Sequence, residues 1–135
     1  MGGTVNPRYA NGHRRRMVRA RVLGQGRPCW ICGLPIDPSL PNLDPCQGVV
    51  DEALPVSQGG SPYQGGNCLP AHRCCNAWRS TKPVAVVREV QSVIASHGGA
   101  ATPQQWCAMA RAALAAVRRD KAIGLQQQVE QSTDW

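Results

Sequence analysis

Residues 49–80 read VVDEALPVSQGGSPYQGGNCLPAHRCCNAWRS, and the organisation of the chain follows from them. The apolar pair Val49-Val50 predicts a short β-strand that delivers two adjacent carboxylates, Asp51 and Glu52, before Pro55 ends it. Between Ser57 and Gly66 stand four glycines and a proline, a composition that suits a chain reversal and no element interior. Asn67-Cys68-Leu69 then predicts a second strand. From about Ala71 the spacing turns helical, with His72, Cys75, Asn76 and Arg79 at i, i+3, i+4 and i+7 on one face. The expected class is α+β: strand, loop, strand and helix, carrying carboxylates, amides and candidate metal ligands.

Upstream, Cys29-Trp30-Ile31-Cys32-Gly33 has the form of half a zinc knuckle. Two thiolates two residues apart on a tight turn can grip one ion, and a tetrahedral site then needs two more soft ligands. His72 and Cys75 repeat the same spacing on the predicted helix, so Cys29, Cys32, His72 and Cys75 are the expected structural zinc set. Cys68 and Cys74 remain alternatives for one of these places, free buried thiols are a further one, and Cys46 reads as a buried thiol. Seven cysteines in paired spacings point to metal rather than disulfides in a reducing compartment.

A chain of 135 residues is one domain's length, and small enough for a metal staple to matter. Phenylalanine is absent, and 14 glycines with 11 prolines imply long ordered loops. The formal charge of +7 is unevenly placed. Seven arginines and no acid precede Pro28 (Arg8, Arg14, Arg15, Arg16, Arg19, Arg21 and Arg27), an asymmetry that fits a nucleic acid or another acidic surface. No apolar stretch is long enough for a membrane span or a signal peptide, so a cytoplasmic protein is expected.

Taken in order, residues 1–27 form a basic arm with a short helix from His13 to about Leu23, its apolar side Met17, Val18, Val22 and Leu23. Residues 28–82 form the metal-stapled unit, with an irregular, proline-rich loop at 34–48. Residues 83–125 form a helical cap. Its first helix, 84–96, turns Val87, Val90 and Ile94 inward. Its second starts at Thr102-Pro103-Gln104-Gln105 and carries Trp106, Met109, Ala110, Ala113, Leu114 and Val117 at helical spacing. Residues 126–135 read as a polar tail.

The stretch Asp51-Glu52-Ala53-Leu54-Pro55, Gly59-Gly60, Asn67 and His72-Arg73-Cys74-Cys75-Asn76 resembles the HNH endonuclease family, whose ββα-metal finger reads Asp-His-x-x-Pro, Gly-Gly, Asn and Cys-x-x-Cys-[Asn/His]. The resemblance spans about Pro28 to Lys82, and Glu52 stands where the family has its first histidine. It implies a metal-dependent DNA endonuclease leaving 5′-phosphate and 3′-hydroxyl ends. Asp51 and Asn76 would hold Mg²⁺ or Mn²⁺, Asn67 would orient the general base, and Glu52 would be either that base, a weaker one than an imidazole, or a second metal ligand. Arg14, Arg15, Arg16, Arg19, Arg21 and Arg79 are the expected DNA contacts. Proteins of this pattern resemble those of bacteriophages, which implies a host cytoplasmic setting and the terminase large subunit or other phage proteins as partners.

Two other classes fit the same residues. One is a zinc-stapled module that binds DNA or a packaging partner without cutting. The other, an RNA-binding zinc knuckle, lacks the aromatic side chains on which bases stack.

Overall fold

The computed structural model describes the backbone of residues 7–52 and 67–133, and side chains within 12–52 and 67–128. The protein is α+β. Among the described residues, four helices surround one two-stranded antiparallel sheet in the order α1 (Pro7–Gly24), β1 (Gly48–Glu52), β2 (Cys68–His72), α2 (Arg73–Arg79), α3 (Val84–Ser96) and α4 (Pro103–Thr133). The loop expected at 57–66, with Pro55 and the Gly59-Gly60 pair, lies outside the described residues, as does the side chain of Arg8.

Both strands form where the sequence places them, with Gly48 opposite His72 and Glu52 opposite Cys68. Successive side chains of β1 point to opposite faces. Val49 packs against the main core, while Val50 joins Val18, Val22 and Cys68 under α1. The hairpin is thus held between α1 on one face and the other helices on the other. Gly48 allows this closeness, because a Cβ there would stand 2.7 Å from the Ile36 side chain and 3.2 Å from that of Leu23.

Pro70 sits inside β2, opposite Val50. Its carbonyl accepts a hydrogen bond from the Trp30 amide at 2.9 Å. The N–H and C=O of one strand residue point the same way, so the donor that proline lacks would also have faced Trp30, and the β1–β2 ladder loses nothing.

The main core joins four parts of the chain: Cys29 and Ile31 from the knuckle, Ala71, Cys75 and Trp78 from β2 and α2, Val87, Val90 and Ile94 from α3, and Trp106, Cys107, Ala110, Ala113 and Leu114 from α4. Trp78 and Trp106 meet edge to face with centroids 5.1 Å apart, an arrangement aromatic pairs prefer. The inward faces expected for both cap helices are the buried ones, and Thr102 Oγ1 accepts from the Gln105 amide as a cap should.

Three expectations need correction. The first helix begins at Pro7 rather than His13, and Met17 points outward at 60% exposure, about 100° round the helix from Val18, which with Val22 faces the hairpin. His72 is not helical. It ends β2 and caps α2 with extended backbone angles, φ −73° and ψ 148°. The last helix continues to Thr133, through most of the stretch read as a polar tail.

Trimming this core should cost stability in proportion to volume. Trp106→Ala is expected to lower the unfolding free energy by about 3–5 kcal/mol and Ile94→Val by about 0.5–1.5 kcal/mol, measured by denaturant titration.

Candidate metal centre and the adjoining carboxylates

The knuckle is a tight turn closed by a 2.9 Å bond from the Gly33 amide to the Cys29 carbonyl, with Gly33 at φ +77°, where a side chain would be strained. That turn puts both thiols on one side. The opposite half comes from the junction of β2 and α2. His72, as the last strand residue, and Cys75, in the first turn of the helix, point the same way. The thiols of Cys29, Cys32 and Cys75 and a ring nitrogen of His72 all lie within 4.8 Å of one another. A tetrahedral ion with metal–sulfur and metal–nitrogen distances of about 2.3 and 2.0 Å sets sulfur and nitrogen about 3.5 Å apart. The observed separations from His72 Nδ1, 3.2 Å to Cys32 Sγ and 3.9 Å to Cys75 Sγ, bracket that value.

The surroundings complete the arrangement. His72 Nε2 lies 3.0 Å from the Pro35 carbonyl, so Nε2 carries a proton there and Nδ1 is the nitrogen that faces the thiols. The His72 amide donates to Cys29 Sγ and the Leu34 amide to Cys32 Sγ, which favours thiolates. Hydrogen bonding with Cys32 and Cys75 holds the Cys29 thiol far below its ordinary value, whereas hydrogen bonding with Cys107, then with Cys29 and Cys32, pushes Cys75 far above it. Burial alone would lower His72, but Cys29 and Cys32 outweigh it and push the imidazole up to about 10. The set is compatible with a bound metal ion such as zinc, which would displace these shared protons.

The rest of the structure pins the two halves together. Gln91 on α3 donates to the carbonyls of both Trp30 and Ile31. The first amides of α2, on Arg73 and Cys74, donate to the carbonyls of Gln47 and Pro45, so the 34–48 loop supplies the cap that the His72 side chain does not. Gln47 is itself buried and accepts from the Leu43 amide.

Beside the metal set lies a buried ion pair. Asp51 Oδ1 accepts from Arg79 Nη1 at 2.8 Å and Oδ2 accepts from Trp30 Nε1 at 2.9 Å. Arg79 also donates to the carbonyls of Glu52 and Lys82, and its guanidinium lies 5.4 Å from the centre of the Trp30 ring. Burial pushes the Asp51 carboxyl above its ordinary value, against the pull of the Arg79 charge and of its hydrogen bonds from Trp30 and Arg79. Arg79 is therefore removed from the expected DNA contacts. At 1% exposure it is spent inside the protein.

The other expected residues divide by position. Glu52 is half-buried on the α1 side of the hairpin and lines a cavity of ≈260 Å³ with Arg15, Val18, Arg19, Val49 and Val50. Asn76 is half-buried on α2, and its side chain makes no hydrogen bond among the described residues. Asn67 is half-buried just before β2. Arg14, Arg15, Arg16, Arg19 and Arg21 are exposed along α1, with Arg19 also donating to the Gly48 carbonyl. The sequence reading missed Trp30 as the second partner of Asp51, although it lies between the two knuckle cysteines. It also missed Cys107, which lies among the apolar residues of α4 and carries no local signal of its own.

Compared with known proteins, the chain matches no family model, and neither a curated protein nor a solved structure is significantly similar to it. What fold and site define is an α+β protein with a Cys₃His cluster suited to a metal ion. Among the described residues no helix is long and apolar enough to cross a membrane.

Two outcomes follow. Zinc should be found at one ion or more per chain by elemental analysis and fall in the Cys29→Ser variant. A chelator should lower the melting temperature, more readily in mild acid, where protons compete for the ligands. For the ion pair, Asp51→Ala leaves a buried guanidinium unpaired and should cost about 3–5 kcal/mol, whereas the double variant Asp51→Leu/Arg79→Met should unfold closer to the wild type than either single change.

Proposed function

We propose that the protein is a small metal-dependent DNA endonuclease of the HNH type, with a ββα-metal finger (β1, β2 and α2) stapled by structural zinc on Cys29, Cys32, His72 and Cys75. The observation that carries this reading is the shared cavity of Glu52, Arg15 and Arg19, which sets a carboxylate and two cations against one space. The exposed arginines of α1 would neutralise the DNA backbone, and contacts of that kind carry no base preference.

In this reading Glu52 accepts the proton of the attacking water, and Asn67 orients its carboxylate. Asn76 and Asp51 would hold Mg²⁺ or Mn²⁺, which when bound polarises the phosphate and stabilises the leaving oxygen. The Asn76 amide fits that duty, having no hydrogen bond within the described residues. Asp51 fits it only by exchanging Arg79 for the ion, one cationic partner for another. The cytoplasm of a host cell and a terminase or other phage protein as partner belong to the same proposal.

That ion pair also favours a second reading. With Asp51 held by Arg79 and Trp30, the finger serves as a rigid zinc-stapled module that binds DNA or a packaging partner without cutting it.

Plasmid cleavage with Mg²⁺ or Mn²⁺ at low salt separates the two readings. The wild type is expected to nick supercoiled plasmid, and Glu52→Gln and Asn76→Ala to lose cutting while retaining binding. Binding should weaken about 10²–10³-fold between 50 and 200 mM salt if about five phosphates are neutralised. Asp51→Ala is the poorer probe, because it strands Arg79. Salt-sensitive binding without cleavage under either ion selects the second reading, and absence of both binding and cleavage rejects the nuclease together with the DNA-binding form of the second reading.

A further inference from the structure

Cys75 belongs to two clusters. Besides the Cys₃His set, its thiol lies within 4.8 Å of those of Cys74 and Cys107, and Cys74 and Cys107 lie as close to each other. The three come from two helices. Cys74 and Cys75 open α2, and Cys107 stands in the first turns of α4, where the two helices pack together through the main core.

We infer that Cys74, Cys75 and Cys107 form a second site for a soft divalent cation of the zinc class, sharing the Cys75 thiolate with the first as a bridge. Two thiolates about 2.3 Å from one ion are about 3.8 Å apart in a tetrahedral site and about 4.0 Å apart in a trigonal one. Cys107 and Cys75 are 3.9 Å apart. Thiolate-only coordination selects soft and borderline cations over Mg²⁺ or Ca²⁺, so this site does not compete for the ion proposed at Asp51 and Asn76.

Charge and access fit as well. Five thiolates, a neutral imidazole and two divalent ions sum to one negative charge. Arg111, one turn beyond Cys107, lines a cavity with Lys82 and the half-buried Cys74, so cations stand next to that excess. The cavity also provides the entrance, since Cys75 and Cys107 are buried and Cys74 alone of the three faces it. Three protein thiolates leave a fourth position on that side for water or an external thiol. The second ion is therefore the exchangeable one and the first is closed.

The test is a Cd²⁺ titration of the full chain under reducing conditions, with bound metal per chain counted by native mass spectrometry. The wild type is expected to take up two ions, and Cys107→Ser and Cys74→Ser one each. Because Cys74 is half-buried at the cavity mouth, its serine variant decides the matter if Cys107→Ser fails to fold. A wild type that stops at one ion overturns the second site and leaves the first standing. Uptake of two by the Cys74→Ser variant also overturns it, and uptake of none removes both sites. In ¹¹³Cd NMR the bridged pair should give two mutually coupled resonances, and two uncoupled ones would remove the shared Cys75.

Discussion

Cys29 and Cys32 reach His72 and Cys75 across some forty residues of chain, and their ligand atoms converge within 4.8 Å. Thiols and an imidazole crowded in this way and without a cation between them must share protons, and the opposite displacements of Cys29 and Cys75 from their ordinary values express that conflict. A bound metal ion such as zinc would relieve it. The hairpin, the 34–48 loop and α3 are then fastened to the same point, through the Trp30–Pro70 bond, the carbonyls of Pro45 and Gln47, and Gln91. A domain this small, without phenylalanine, gains from such a fixed point what a larger apolar core would otherwise provide.

Next to that centre, the Asp51–Arg79 pair links the end of β1 to the end of α2. Its place in the core is costly unless every polar atom is answered, and here the answers come from Trp30 and from the carbonyls of Glu52 and Lys82. The pair and the Cys₃His set meet through one residue. Trp30 lies inside the knuckle, donates to Asp51 and presents its ring to Arg79. The stability of the metal set and the electrostatics of the strand end are for that reason one problem rather than two.

Much of this was legible in the sequence, because it is written in local spacing. Val49-Val50 before Asp51, the Cys-x-x-Cys turn, the repeat at His72 and Cys75, and the apolar stripes of α3 and α4 each carry their own period. The illegible parts depend on distant partners. Nothing near Arg79 says that it faces inward, since an arginine one turn beyond Asn76 looks like a phosphate contact until Asp51 is placed 2.8 Å away. Cys107 reads as one more small apolar residue until α4 is laid across α2. His72 keeps its place among the four candidate ligands while changing its element, because the strand's last residue and the helix's first turn can face the same point.

Pro70 has one more consequence. A two-stranded sheet has two open edges along which another chain could add a strand. On the β2 side, Trp30 already holds the one outward carbonyl in question, and proline leaves no outward N–H at that position. On the β1 side, Arg19 occupies the Gly48 carbonyl. Both margins of the hairpin are thus interrupted within the molecule itself, and self-association by strand addition is disfavoured at the segment that carries the proposed chemistry.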